Sequence, residues 1–471
     1  MRHISLVVVP SCARRFQGPF ERIESRQTFN FELSTLNGKT PFAVNIELIN
    51  TGSELMLGRV LNTHQQWIGR QLADRGYVVT RQVSVPDAGS DVQQAVREAL
   101  SRADLVIATG GLGPTSDDIT RDLVAELLGK KMREDAVALA NVESFFAIRK
   151  RPMPAQTRVQ ALVPEGAIVL HNRHGTAPGL AIEVNPNPFR NESKGSWLIL
   201  LPGPPRELQP MFGEQVIPLI LERFPRAGAF VSRTLKTTGL GESVVQEKIA
   251  APLKHLTDAG LEIGYCARTG EVDLRLAARG AGAEKIVLEA EQMVRQLIGP
   301  HIFGENDDQL EAVIVRLLTE RRETLALAES CTGGYIANRI TNVPGASAVL
   351  LAGLVTYSND AKQKFLGVRG ETLALHGAVS EPVAREMAEG ARHKTGAHFA
   401  IAVTGIAGPA GGTPDKPVGT VFIALATDRH TFVLNPVNRY DRETFKYVTS
   451  QQALELLRRT VLNQIRITNH Q

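Results

Sequence analysis

The sequence predicts an α/β protein built from three domains. The chain has 471 residues, enough for about three domains of ordinary size. Fully apolar runs, such as Asp104-Leu-Val-Ile-Ala-Thr109 and Phe399-Ala-Ile-Ala-Val-Thr404, alternate with segments of helical period. Glycine-rich turns then close a strand and open a helix more than once. Strand and helix in alternation argue for parallel sheets covered on both faces, because each crossover lays a helix on the sheet.

Composition narrows the class further. Hydrophobic residues make up 43% and charged residues 22%, as expected of a globular chain. No apolar run approaches the roughly 18 residues that a membrane span needs, so no membrane partner is expected. The three cysteines (Cys12, Cys266 and Cys331) are odd in number and widely spaced, which points to a reduced, cytoplasmic compartment. The net charge is +4, but residues 1–42 alone hold six Lys/Arg against three Asp/Glu. The rest is close to neutral, and a nucleic-acid partner would call for a basic face in the folded part.

Residues 1–42 lack a period, and their apolar stretch 4–9 is too short for a secretory h-region. This segment is expected to be a disordered extension. In residues 43–213, strands are predicted at 44–49, 77–85 and 104–109. Helices are predicted at 62–75, with Trp67, Ile68 and Leu72 on one side, at 91–102 and at 119–128. Between the third strand and the third helix lies Thr109-Gly-Gly-Leu-Gly-Pro-Thr-Ser-Asp-Asp-Ile-Thr120. Its glycines Gly110, Gly111 and Gly113 let backbone approach a ligand, and the helix start beyond favours an anion. Asp117 and Asp118 either cap that helix or hold a metal or a ribose. The loop 185–195 is turn-rich and expected to be exposed, and His171 and His174 are expected to be solvated.

Residues 214–302 read as a smaller α+β unit, with strands at 231–238 and 271–278 and helices at 242–254 and 283–297. It lacks a GxxG loop between helices, and residues 226–301 carry ten Lys/Arg against nine Asp/Glu. A spacer or dimer contact is the expectation, not a nucleic-acid module.

In residues 303–471 a helix at 307–321 leads to Thr324-Leu-Ala-Leu-Ala-Glu-Ser-Cys-Thr-Gly-Gly334, a strand and turn before a helical pattern at 335–341. A hydroxyl at such a junction lies where N–H groups are unpaired and the helix dipole is positive, which suits an oxyanion. The plainer alternative is a helix cap with two glycines easing the turn. A strand at 349–357 ends in Thr356-Tyr-Ser-Asn-Asp-Ala-Lys362. Lys362 can act as a base if burial keeps it neutral; otherwise it shares a solvated helix start with Lys364. A helix at 382–394, a strand at 399–404, the turn Gly405-Ile-Ala-Gly-Pro-Ala-Gly-Gly412 and a strand from 416 follow. Cys331 is intrinsically a better nucleophile than Ser330, and a helix amino terminus would lower its pKa. Only one of two adjacent side chains can face a carbonyl.

Several of these motifs resemble the CinA family. Gly52-Ser-Glu-Leu-Met-Leu-Gly58, Thr109 to Asp118, Gly175-Thr-Ala-Pro-Gly179 and Leu201-Pro-Gly-Pro-Pro-Arg-Glu207 are similar to its molybdopterin-binding-like α/β/α domain. Thr238-Gly-Leu-Gly-Glu-Ser243 and Gly270-Glu-Val-Asp-Leu-Arg275 resemble its KH-like α+β domain. The motifs of 328–334, 356–362, 377–381 and 405–412 resemble its carboxyl-terminal α/β/α domain, the nicotinamide-nucleotide amidase. The resemblance implies boundaries at 43–213, 214–302 and 303–471. It implies a Ser330–Lys362 catalytic pair that converts nicotinamide mononucleotide to its acid in pyridine-nucleotide salvage, with Cys331 packed as a small hydrophobe. Substrate contacts would come from Thr332, Gly333, Gly334, Tyr357, Thr404, Gly405, Gly408 and Arg442. No cofactor is expected for the amidase. The amino-terminal loop, with Gly110, Gly111, Gly113, Thr115, Asp117 and Asp118, would take a nucleotide for ADP-ribose pyrophosphatase chemistry, with a divalent metal on Asp117 and Asp118. A homodimer is implied. The alternative is a competence- or damage-linked binding protein without turnover. Two positions depart from the pattern: Ser53 stands where many relatives carry Asp, and Lys446 where relatives often have Arg.

Overall fold

The computed structural model describes residues 44–464 except 192, 193 and 227, so the extension expected at 1–42 lies outside the described residues. Three large sheets follow one another along the chain, beside a two-stranded ribbon of Met132–Glu134 and Leu162–Pro164. The first has strands Ile46–Thr51 (β1), Val79–Val85 (β2), Leu105–Thr109 (β3), Ile168–Leu170 (β4), Gly179–Val184 (β5) and Ser196–Leu201 (β6), in the order β2-β1-β3-β6-β5-β4. β1, β3 and β6 are buried along their whole length, which is why β3 and β6 read as near-continuous apolar runs, while β1 buries Glu47 and Asn50 among its apolar residues. Helix Thr63–Ala73 (α1) packs Ile68 and Leu72 on one face, while Gly89–Leu100 (α2) and Thr120–Leu127 (α3) cover the other.

The sheet is not wholly parallel. β4, β5 and β6 pair antiparallel, because the loops 171–178 and 185–195 are too short to hold a crossover helix. The loop 185–195 is also less exposed than expected. Asn187 is buried and donates to Leu100 O at 2.8 Å and Ser196 Oγ at 2.9 Å, and Arg190 pairs with Asp104 at 2.9 Å.

The middle sheet is antiparallel, with Phe230–Thr238 (β7), Glu262–Arg268 (β8), Glu271–Arg279 (β9) and Ile302–Glu305 (β10) in the order β8-β9-β7-β10. Helices Glu242–Ala250 (α4) and Ala283–Ile298 (α5) cover one face. The helix expected at 242–254 stops at Ala250, before Pro252, and a short helix resumes at Lys254–Asp258. From β9, Arg275 donates to Ala73 O (2.9 Å) and Arg279 to Gly76 O (3.2 Å), placing cations on the carboxyl end of α1.

The last sheet holds Leu325–Glu329 (β11), Leu350–Val355 (β12), Phe399–Gly405 (β13), Val421–Ala426 (β14) and Thr431–Leu434 (β15), in the order β12-β11-β13-β14-β15. The first three run parallel and the last two close as hairpins. Helices Leu310–Arg321 (α6), Tyr335–Thr341 (α7) and Arg442–Val461 (α9) fill one face, and Glu381–Thr395 (α8) fills the other. Because the chain goes from β11 to one neighbour and then to the other, the strand order reverses between β11 and β13. In open α/β sheets such a point is where a crevice lies, outside the carboxyl ends of the strands.

Buried Arg339 on α7 ties this domain together. It donates to Ser450 Oγ (2.8 Å), Gln451 Oε1 (2.8 Å) and Glu311 Oε2 (2.6 Å), and Gln451 in turn donates to Glu271 Oε1 of the middle domain at 2.8 Å. Truncating Arg339 to Ala strands Glu311 and Gln451 in a buried setting, so a loss of about 3–5 kcal/mol is expected. Denaturant unfolding of the variant measures it directly.

Candidate active site

Ser330 stands on the first residue past β11, at the edge of the crevice. Its N–H donates to Val403 O (3.0 Å) and its carbonyl accepts from Gly333 N (3.1 Å), which folds the chain into a tight turn. Gly333 (φ 62°) and Gly334 (φ 91°) complete that turn in the left-handed region, where a side chain would be strained. The strand expected at 324–328 runs one residue further and ends on buried Glu329. Gly334 N and Ile336 N donate to Glu329 Oε2 (3.0 and 3.1 Å), and Ala337 N donates to Oε1 (2.8 Å). The expectation that unpaired N–H groups at the start of this helix hold an oxyanion is therefore corrected, because a carboxylate already takes them. The N–H groups of Cys331 and Thr332 find no oxygen acceptor among the described residues and are directed at the Cys331 sulfur instead.

Lys362 comes from the far end of β12. Ser358 caps the short helix Asn359–Ala361 by accepting from Ala361 N (3.1 Å), and a π-helical turn, Lys362–Leu366, continues it. Wide turns of this kind rotate a side chain out of ordinary helical register. The side chain is 1% exposed, and its Nζ lies 3.1 Å from Ser330 Oγ, 2.9 Å from Thr356 O and 3.2 Å from Tyr357 O. Burial holds its pKa below the ordinary lysine value. No carboxylate pairs with it among the described residues. A neutral amine has two N–H donors and one lone pair, the complement of two carbonyls and one hydroxyl. The solvated-lysine alternative is thereby set aside.

Cys331 turns the other way, into the core formed with Leu327, Ile336 and Val403. Burial pushes its thiol up to about 12, against the expectation of a thiol activated by a helix end. Two buried hydroxyls flank the pair, Thr332 Oγ1 and Thr356 Oγ1, and neither has a hydrogen-bond partner among the described residues. Thr332 is fully buried, so the expected substrate contact through its side chain is not offered at the surface.

The remaining residues of the site gather on the same crevice. Thr404, at the end of β13, donates to Ala378 O (2.8 Å) and ties the strand to the loop before α8. At Gly405 a Cβ would lie 2.8 Å from Thr420 O, and at Gly408 (φ 76°) 2.5 Å from Val418 Cγ1, so only glycine fits either position. Asp441 caps α9 by accepting from Glu443 N and Thr444 N at 3.0 Å. One helical turn apart on α9, Arg442 and Lys446 reach over the crevice. Arg442 donates to Gly408 O (3.1 Å) and to exposed Tyr357 Oη (3.0 Å). Lys446 Nζ lies 5.7 Å above the Tyr335 ring, and a Cβ on Gly333 would stand 4.0 Å from it. Sequence reasoning missed Glu329, although an acid closing the apolar run Leu325-Ala-Leu-Ala was its signal.

The amino-terminal loop lies at the equivalent crevice of the first sheet. Gly110 (φ 102°) and Gly111 (φ 66°) press against Thr51 and Thr120, where any Cβ would collide. Asp118 accepts from the backbone N of Thr115 (3.0 Å) and from its hydroxyl, closing the loop on itself, while Asp117 is exposed. No group of three or more metal-ligating side chains forms among the described residues. Ser53 and Asp87 exchange hydrogen bonds (Ser53 N to Oδ2, 2.9 Å; Asp87 N to Ser53 Oγ, 3.3 Å), so a carboxylate at 53 would face the carboxylate of Asp87. His171 and His174 are exposed as expected.

Family models match three stretches of the chain. They are the CinA C-terminal domain over 307–461, the probable molybdopterin binding domain over 47–222 and the damage-inducible protein CinA KH domain over 232–304. A putative competence-damage inducible protein of Caldicellulosiruptor saccharolyticus is 44% identical over 420 residues, covering 88% of this chain and 99% of that protein. A CinA-like protein of Gemmatimonas aurantiaca is 40% identical over 424 residues, covering 88% and 96%. Among solved structures, competence/damage inducible protein CihA from Agrobacterium tumefaciens shares 43% identity over 33% of this chain and 94% of that one, with a TM-score of 0.32.

The contrast between the two described cysteines is measurable. Cys266 is exposed and Cys331 buried, so iodoacetamide near pH 8 is expected to label Cys266 at least about tenfold faster. Mass spectrometry of the labelled peptides reads the ratio.

Proposed function

The chain belongs to the CinA family, and from that premise we propose that its carboxyl-terminal site is an amidohydrolase. It would convert nicotinamide mononucleotide and water to nicotinate mononucleotide and ammonia. The observation that carries the reading is the buried Lys362 amine, 3.1 Å from Ser330 Oγ and without a carboxylate partner among the described residues. A lysine kept neutral next to a hydroxyl at a strand end is an arrangement suited to nucleophilic catalysis.

The chemistry follows from those groups. Lys362 takes the Ser330 proton as Oγ attacks the carboxamide carbon, and the negative oxygen that forms needs hydrogen-bond donors from the walls of the site. Lys362 then returns the proton to the departing nitrogen, so that ammonia leaves and Ser330 carries the nicotinoyl ester. Water, deprotonated by Lys362, attacks that ester, and the proton passes back to Ser330 Oγ as the acid leaves. Arg442 and Lys446, both without a carboxylate partner among the described residues, supply positive charge for the phosphate at the other end of the substrate. Gly405 and Gly408 leave room for backbone to approach it.

For the amino-terminal domain we propose a nucleotide-pyrophosphate ligand at Gly110, Gly111, Gly113 and Thr115. Asp118 is committed to the loop, which leaves Asp117 as its exposed carboxylate. That donor set fits a divalent ion shared with the ligand's own phosphates, the usual arrangement for magnesium. Replacing Asp117 and Asp118 by Asn is expected to abolish metal-dependent ADP-ribose cleavage and to spare deamidation. Loss of both activities would count against separate sites.

Three variants and one pH profile test the amidase. Ser330→Ala and Lys362→Ala are each expected to lose about three orders of magnitude or more in ammonia release, because the two act as a unit. Cys331→Ala keeps most activity. Catalysis needs neutral Lys362, so kcat/KM falls about tenfold per unit as pH drops below its pKa. Since burial lowers that pKa, the limb lies below the ordinary value of about 10.5. A competence-linked binding protein without turnover would instead give no ammonia, and would hold DNA in a salt titration at physiological ionic strength.

A further inference from the structure

Two potential nucleophiles stand side by side at residues 330 and 331, and a buried acid lies one residue earlier. Glu329 ends β11 with its carboxylate buried, and its recorded partners are three backbone N–H groups of the following segment, at 2.8 to 3.1 Å. Those groups belong to Gly334, Ile336 and Ala337, so the carboxylate spans the whole turn from its first residue to its last. Bonds from N–H to an ionised carboxylate are about twice as strong as neutral ones. Within the turn, Ser330 Oγ faces Lys362 and Cys331 Sγ faces the core. A slip of one residue would exchange those directions and bring the thiol to the amine. The slip would also pull all three N–H groups off Glu329.

We propose that Glu329 is a positioning residue that makes Ser330, and not Cys331, the nucleophile. Its carboxylate pins the start of α7 and so fixes the register of the catalytic turn. The inference rests on the Ser330–Lys362 reading above and adds the constraint that selects between the neighbours. Burial already disfavours the thiolate at Cys331, and the nearby Glu329 charge works in the same direction. A glutamine at this position has the right shape but only one acceptor oxygen, and its NH2 would oppose at least one of the three N–H donors.

The test uses the full chain with Glu329→Gln and Glu329→Asp. Ammonia release gives kcat and KM, and iodoacetamide labelling of Cys331 is read against Cys266 as an internal standard. Glu329→Gln is expected to lower kcat by about tenfold or more with KM within about threefold, and to raise the Cys331:Cys266 labelling ratio by about tenfold. Its cooperative thermal transition should persist, and a urea-denatured control should give a ratio near one. Glu329→Asp, which keeps the charge on a shorter arm, recovers part of both effects. An unchanged labelling ratio with kcat within about threefold overturns the proposal. Should Glu329→Gln fail to fold, amide exchange in the native protein decides. Protection of Gly334, Ile336 and Ala337 N–H at the level of helix interiors is expected, and free exchange at those amides overturns it. An active Ser330→Ala enzyme would remove the Ser–Lys reading itself, and neither the labelling nor the exchange result depends on that outcome.

Discussion

The carboxyl-terminal domain depends on one unusual burial, that of the Lys362 amine. Taking a lysine head out of water is costly unless its charge is paired or its proton lost. Here two carbonyls and a hydroxyl replace the water, and the carbonyls belong to Thr356 and Tyr357, at the very end of a parallel strand pair. Sheet register therefore enters the chemistry. Glu329 lies opposite Val355, and Thr356 N donates to Glu329 O at 2.8 Å, which sets the lysine's carbonyl cradle beside the serine. A slip of β12 by one residue would carry its side chains to the other face and take the cradle away with them.

The helix termini around the crevice are already satisfied from within. Glu329 occupies the start of α7 and Asp441 the start of α9. Neither end is left to bind an anionic ligand, so positive charge there comes from side chains, Arg442 and Lys446. The resulting polarity is directional: the Ser330 hydroxyl and the buried Lys362 amine under the turn, the Arg442 and Lys446 cations on α9. A ligand that carries an amide at one end and a phosphate at the other matches that polarity. Arg339, at the far end of α7, extends the same framework through Gln451 to Glu271, so the helix behind the nucleophile also rests on the middle domain.

Much of this was legible in the sequence, for physical reasons that also explain the rest. β3, β6, β11 and β13 are buried on both faces, and full burial requires unbroken apolar runs that are easy to read. Ser330 and Lys362 were recognisable because each sits at the punctuation after such a run. β8 was not, since an edge strand with one face in water and Gly264 in its interior has neither an apolar run nor strong strand propensity. The antiparallel edge of the first sheet was hidden because loop length, and not strand composition, decides direction there. Asn187 looked like a loop residue until the structure placed Leu100 and Ser196 around it. Cys331 is packed as the resemblance implied, but its thiol pKa was misread by treating a helix end as free. Its thiol pKa depends on burial and on which groups already hold the neighbouring N–H donors, and a string of residues carries neither fact.

The two α/β domains use one architectural device to different chemical ends. In each, glycines with positive φ follow a central strand at the point where strand order reverses. In the carboxyl-terminal domain the acid that precedes the turn faces inward and holds its N–H groups, while a second strand end brings in the buried Lys362 amine. In the amino-terminal domain Asp118 likewise secures its own loop, and Ser53 and Asp87 neutralise each other's polar groups nearby. No buried base is delivered to that loop among the described residues, and what it presents outward is backbone N–H and the Asp117 carboxylate. A hydroxyl beside a buried amine is the pairing that the proposed attack on a neutral amide requires. A loop that offers only N–H donors and one carboxylate suits a ligand whose own phosphates complete the coordination of a cation.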